Sequence, residues 1–183
     1  QARDATERVN IEYDPLPSTT DQLKALAPDA TPLWDDMESN LCVDDQKGDP
    51  AAVSEAFSRA AHVVRMDLVN NRVSGVPMEP RSAVAEFDPT TNRYTLWAGG
   101  QGGNRFQQEI STAFGCQEDR VRVIARDVGG GYGTRNSCYP EFTLVTWAAK
   151  RVGRPVKWTG TRSEMALGDY AGRNLFTEAD LAL

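Results

Sequence analysis

Between Val121 and Asn136 a short alternation of apolar and charged residues, Val121-Arg-Val-Ile-Ala125, leads into Asp127-Val-Gly-Gly-Gly-Tyr-Gly133, where glycine fills four of five positions: Gly129, Gly130, Gly131 and Gly133. The alternation predicts a strand over 121–125. The glycines predict a backbone that takes up positive φ or lets another group come close, because no Cβ stands in the way. The residues from Tyr139 to Arg151 read as a helix, so the loop is expected at a strand-to-helix junction, where amide donors and the helix dipole favour an anionic group. Known glycine motifs do not fit: G-x-G-x-x-G fails because Thr134 and Asn136 stand where glycine is needed, and no Gly-Lys-Ser or Gly-Lys-Thr follows. On the loop alone, a tight turn and a ligand cradle stand side by side as readings.

The rest of the chain reads as a mixed α/β (α+β) domain. Helices are expected over 52–60 and 104–114, a strand over 62–73, a hairpin of strands 83–87 and 93–98 across Asp88-Pro-Thr-Thr-Asn92, and a last strand over 155–159. Pro15, Pro17, Pro28 and Pro32 mark residues 14–36 as a linker running over the surface. A second glycine-rich loop, Gly99-Gly-Gln-Gly-Gly103, also follows a strand and precedes a helix. A site between the two loops is the expectation.

Composition excludes several classes. Twenty Lys and Arg against 26 Asp and Glu give a net charge of -6, without the clustered basic footprint of a nucleic-acid-binding surface. No apolar run reaches the roughly 20 residues of a membrane-spanning helix. Cys42, Cys116 and Cys138 have neither C-x-x-C spacing nor an even count and read as ordinary thiols in a reducing compartment. His62, the single histidine, reads as structural and leaves no His-dependent triad or His cluster.

Taken in order, Met78-Glu-Pro-Arg81, Gln101 after its strand, Asp127-Val-Gly-Gly-Gly-Tyr-Gly133 and Gly153-Arg-Pro-Val-Lys-Trp158 resemble the molybdenum-binding large subunit of the xanthine oxidase family. The resemblance runs from about Val9 to Arg173, closest to the branch of aerobic carbon monoxide dehydrogenase-like and aldehyde-oxidising proteins. It implies an internal fragment: residues 1–20, with Val9–Pro17 as the closing strand, as the tail of a preceding domain, 21–52 as a linker, and 53–183 as the first, incomplete part of the molybdopterin-binding domain.

What the resemblance implies chemically is specific. The cofactor is molybdenum-molybdopterin as the cytosine dinucleotide, with Gln101 donating to an oxo ligand and Gly130, Gly131, Tyr132 and Gly133 lying against the pterin. Gln101 and Tyr132 come near molybdenum without ligating it, since the pterin supplies the sulfur ligands. An amide and backbone N–H groups suit that place, being neutral donors. Tyr132 stands where the family usually has Phe, and its hydroxyl requires a polar partner if buried. Asn136 falls where purine-hydroxylating relatives carry a Glu that binds the heterocycle, which points away from purines and toward an aldehyde, an N-heterocycle or carbon monoxide.

The reaction implied is oxidation of substrate carbon with oxygen from water, two electrons leaving toward iron-sulfur and FAD partners in a dimer of heterotrimers. The general base lies outside this chain, so the fragment alone is expected to be inactive, and the compartment is expected to be cytoplasmic. Glu79 and Arg81 read as a structural pair or turn, and Glu141 as a partner of the helix dipole. Two other classes stay open: a non-redox module holding a nucleotide at the glycine loop, and a degenerate structural fragment.

Overall fold

The computed structural model describes residues 2–183. In chain order the elements are α1 (Ala2–Thr6), α2 (Gln22–Ala25), α3 (Pro50–Arg59), β1 (Val63–Asn70), β2 (Val73–Ser74), β3 (Ser82–Asp88), β4 (Arg93–Ala98), α4 (Gly103–Phe114), β5 (Val121–Ile124), α5 (Pro140–Val152), β6 (Val156–Thr159), α6 (Arg162–Leu167), β7 (Ala171–Gly172) and β8 (Leu175–Ala182). They divide into two units, residues 1–69 with 175–183, and residues 70–174.

In the first unit, Asp49 caps α3 by accepting from the N–H groups of Ala51 and Ala52, with Pro50 in the first turn, where its missing N–H costs nothing. β1 and β8 form a two-stranded ribbon, extended by the reciprocal backbone bonds of His62 and Leu183 at 3.1 and 2.9 Å. The proline-rich stretch is more organised than a plain linker. Asn40 accepts from the Leu33 N–H at 2.8 Å and donates to the carbonyls of Ala25 and Thr31, tying residues 25–40 into one closed loop.

Three expectations are corrected here. Residues 9–17 form no strand; they are exposed, and no strand among the described residues pairs with them. The strand expected over 62–73 breaks at Asn71 and Arg72, because β1 pairs with β8 whereas β2 pairs with β7. The third concerns Met78-Glu-Pro-Arg81 and is described with the site.

The second unit is built on a four-stranded sheet in the order β5-β4-β3-β6. β3 runs antiparallel to β4 and β6, and β4 runs parallel to β5 in the register Tyr94 to Val121 and Trp97 to Ile124. Period-two alternation puts Ala83 and Ala85 of β3 and Tyr94, Leu96 and Ala98 of β4 on one buried face. Onto it α4 packs Phe106 and Ile110, and α5 packs Phe142, Val145 and Ala149, the i, i+3, i+7 spacing of a helix stripe. The buried hydroxyls of Ser111 and Thr146 are satisfied within their own helices by the Gln107 and Phe142 carbonyls.

Both helices end at glycines in the left-handed region, Gly115 and Gly153. α6 starts with a full capping box between Thr161 and Glu164. No helix among the described residues is long and apolar enough to cross a membrane.

Candidate cofactor site

Because β4 and β5 are parallel neighbours, the loops that follow them leave the same end of the sheet, at the carboxyl ends of the strands, where open α/β sheets characteristically bind ligands. Gly99–Gly103 and Gly129–Gly133 therefore meet. The Gln101 backbone N–H donates to the Arg135 carbonyl at 2.9 Å, and the Gly133 N–H donates to Gln101 Oε1 at 2.9 Å. A backbone N–H can only donate, so the carboxamide oxygen must face Gly133 and the NH2 must face the other way.

The glycines at this meeting have separate reasons. A Cβ on Gly131 would fall 2.4 Å from both Cδ and Oε1 of Gln101, so only glycine lets that side chain lie across the loop. A Cβ on Gly129 would fall 2.4 Å from Glu79 Cβ. Gly130 and Gly133 are at φ 108° and 88°, and Tyr132 between them is at φ 54°, a left-handed conformation that disfavours a residue with a Cβ by roughly 1–2 kcal/mol. No hydrogen bond within the described residues takes up the N–H groups of Gly130, Gly131 and Tyr132. Turns of this kind form concave sets of donors that suit an anion or a partly negative oxygen.

A charged brace lies beneath the loop. The Glu79 carboxylate accepts from the Gly129 N–H at 2.7 Å and from Arg135 Nη1 at 2.6 Å, the Glu79 N–H donates to the Gly129 carbonyl at 3.2 Å, and Arg135 Nη2 donates to the Glu79 carbonyl. Arg135 is 1% exposed and its forked guanidinium closes the loop at its far end while Glu79 holds the near end.

Glu79 and Arg81 are thus not a pair with each other. Each goes to a different partner: Arg81 meets Glu141 Oε1 at 3.1 Å, Asp169 Oδ1 at 3.7 Å and the face of the Tyr139 ring at 4.3 Å. Glu141, in the first turn of α5, accordingly serves Arg81 as well as the helix dipole. Arg162 holds the loop carrying these residues by donating to the carbonyls of Pro77, at 2.7 Å, and Met78.

The expected role of the α5 dipole is also corrected. After Gly133 the chain makes a single 3-10 turn over Thr134–Asn136, and α5 begins only at Pro140, so the glycine loop does not abut its N-terminus. The other loop does lead straight into α4, whose N-cap Gly102 supplies no side-chain cap.

The Tyr132 ring is 75% exposed, so its hydroxyl reaches water and needs no protein partner. Asn136 is exposed at the end of the turn, with its N–H on the Gly133 carbonyl at 3.3 Å. Arg135, Tyr139 and Asp169 are the site residues that sequence reasoning missed. Arg135 alone left a signal, as a lone cation inside an otherwise neutral loop.

Burial pushes the Tyr139 phenol up to about 12 from its ordinary 10.0 and the Cys138 thiol up to about 11 from 9.0. Both groups are neutral when protonated, so between these values the folded chain binds more protons than the unfolded one. The resulting slope is negative: their stabilising contribution is complete below about pH 9, falls as pH rises, and is gone above about pH 12. Urea midpoints measured from pH 8 to 11 are expected to fall steadily, less so in Cys138→Ala; a midpoint flat to pH 11 would contradict the assignment.

A family model described as the molybdopterin cofactor-binding domain matches residues 33–183. The chain is 34% identical over its whole length to the 6-hydroxypseudooxynicotine dehydrogenase complex subunit gamma of Paenarthrobacter nicotinovorans, covering 22% of that protein. It is 32% identical over 99% of its length to the carbon monoxide dehydrogenase large chain of Hydrogenophaga pseudoflava, covering 24% of it. Among solved structures, quinoline 2-oxidoreductase from Pseudomonas putida 86 aligns with all of the chain at a TM-score of 0.83 and 31% identity, over 23% of that chain. The chain thus spans about a quarter of the length of these relatives.

Proposed function

Because the chain belongs to the molybdopterin cofactor-binding domain family, we propose that the surface formed by Gln101 and Gly130–Gly133 receives a molybdenum-molybdopterin group, within the large subunit of a molybdenum hydroxylase. The single observation that carries this reading is the fixed carboxamide of Gln101. Its oxygen is held by Gly133 at 2.9 Å, its NH2 is turned outward, and it lies over a glycine that no other residue could replace without displacing it.

The residues fit the group. The donors that Gln101 and the loop present are neutral amides, which stabilise partly negative oxygens without competing as ligands. Among the described residues no cluster of His, Cys, Asp and Glu is arranged to hold a metal ion, so the donor set suits a group that brings its own sulfur ligands. Bound there, the group supplies oxidation of a substrate carbon with oxygen from water and passes two electrons onward.

This chain's own part is binding and orientation. Gln101 directs its NH2 at the electronegative side of the group, the N–H groups of Gly130, Gly131 and Tyr132 line the adjoining wall, and the Glu79–Arg135 brace keeps that wall in one conformation. Tyr132 acts through its backbone only. The form of the cofactor we assign is the cytosine dinucleotide, and the partners are iron-sulfur and FAD subunits, in keeping with a relative named as one subunit of a dehydrogenase complex. The substrate class is an aldehyde, an N-heterocycle or carbon monoxide, with neutral Asn136 at the rim disfavouring a purine.

Two variants of Gln101 in the complete, cofactor-loaded large subunit test the role. Gln101→Glu keeps an oxygen for the Gly133 N–H and loses the outward donor; Gln101→Ala loses both. Each is expected to retain pterin and to slow turnover by about 10²-fold or more, the usual loss when a preorganised donor is removed. Turnover unchanged in both would sink the assignment.

A further inference from the structure

Tyr139 immediately precedes α5, is 1% exposed, and is packed on its ring faces and edge by Arg81, Tyr170 and Phe142. Phenylalanine would fill the same space, so the hydroxyl calls for its own explanation. It lies 3.0 Å from the Thr134 carbonyl and 2.7 Å from Asp169 Oδ1, two acceptors sharing one phenolic proton. Thr134 in turn donates to the Gly131 carbonyl twice, from its backbone N–H at 3.0 Å and from its Oγ1 at 2.9 Å. The Gly131 carbonyl and the Tyr132 N–H belong to one rigid peptide plane. Fixing the carbonyl therefore aims the N–H.

The surroundings of Arg81 fit orientation better than ordinary ion pairing. Its Nε and Nη1 are buried without hydrogen-bond partners, and so is Glu141 Oε2. At 3.7 Å the Nη1 to Asp169 contact is too long for a hydrogen bond. Buried orphans of this kind are rare in proteins and call for a reason. What the guanidinium does achieve is to cover the face of the Tyr139 ring, while Asp169, itself held by the Tyr170 N–H at 2.9 Å, fixes the hydroxyl end.

We propose that Tyr139, oriented by Arg81 and Asp169, is a positioning residue for the glycine loop, acting through Thr134 to set the direction of the Gly131–Tyr132 peptide and its neighbouring amides. The proposal deepens the reading of the Gln101 and glycine-loop surface as a cofactor site and rests on it for its purpose, but its geometry is testable without any cofactor.

The experiment is residue-resolved amide exchange by NMR on the 183-residue chain, comparing wild type, Tyr139→Phe, Thr134→Val and the double variant. In Tyr139→Phe the Gly133, Thr134 and Gln101 amides are expected to exchange about tenfold faster and the Tyr132 resonance to shift, while the Leu96 and Val123 amides of the sheet keep their rates. The double variant is expected to be no faster than the faster single one, since both substitutions break the same chain of contacts. Uniform acceleration of sheet and loop together would make Tyr139 a packing residue and overturn the proposal, as would an unchanged loop or strictly additive effects. Molybdenum content, measured separately, judges the cofactor reading whatever the exchange rates do.

Discussion

Gly131→Val is expected to lower molybdenum and pterin content at least tenfold while leaving the sheet intact. A Cβ there falls 2.4 Å from Gln101 Cδ and Oε1, inside any real contact distance. The loop is exposed and Gln101 has a flexible side chain, so the clash resolves by driving Gln101 out rather than by unfolding the unit. Leaving its place breaks the bond from the Gly133 N–H, a net loss of about 0.5–1.5 kcal/mol, and swings the outward NH2 away from the loop. Two valine methyls then occupy the space beneath it. Since tenfold in affinity is about 1.4 kcal/mol, the added methyls together with the misdirected amides of the wall suffice, whereas loss of the Gln101 donor alone, as in Gln101→Ala, does not. Elemental analysis and pterin fluorescence after acid oxidation read the effect, with circular dichroism as the control for folding. Full cofactor content in this variant would mean that the group sits elsewhere.

Arg135→Ala is expected to be the most destabilising single change at the site, by about 3–5 kcal/mol, the range for removing one partner of a buried ion pair. It strips the Glu79 carboxylate of its 2.6 Å partner and the Glu79 carbonyl of its donor, deep enough that Arg135 itself is 1% exposed. The Glu79 side chain keeps 32% exposure, so water relieves part of the loss and the lower end of the range is expected. Arg135→Lys is not expected to rescue, because one ammonium does not reproduce a fork spanning a carboxylate and a carbonyl. Urea unfolding followed by tryptophan fluorescence should show a lowered midpoint at unchanged slope. A loss under about 1 kcal/mol would show the brace to be incidental.

Local pattern carried most of the second unit. The alternation in 83–87 and 93–98 and the helical stripes of 104–114 and 139–151 made β3, β4, α4 and α5 readable, because each buries one face against a single sheet. The Thr161-Arg-Ser-Glu164 capping box was legible too, yet α6 went unread. Ribbon pairing was not legible: β1 and β8 lie more than 100 residues apart, and nothing local in Leu175–Ala182 names its partner.

The same limit governed the site. Gln101 and the glycines could be placed on two loops after strands, but that those strands are parallel neighbours is a fact of the sheet. Glu79 was read beside Arg81, two positions away, whereas its real partner Arg135 is 56 residues distant. Asp169 lies 30 residues from Tyr139 and bore no motif.

The most direct measurement is the molybdenum and pterin content of the intact protein purified from cells that make the cofactor. Near-stoichiometric molybdenum with pterin is the predicted result. A well-folded protein carrying neither, or carrying a nucleotide in their place, would contradict the account.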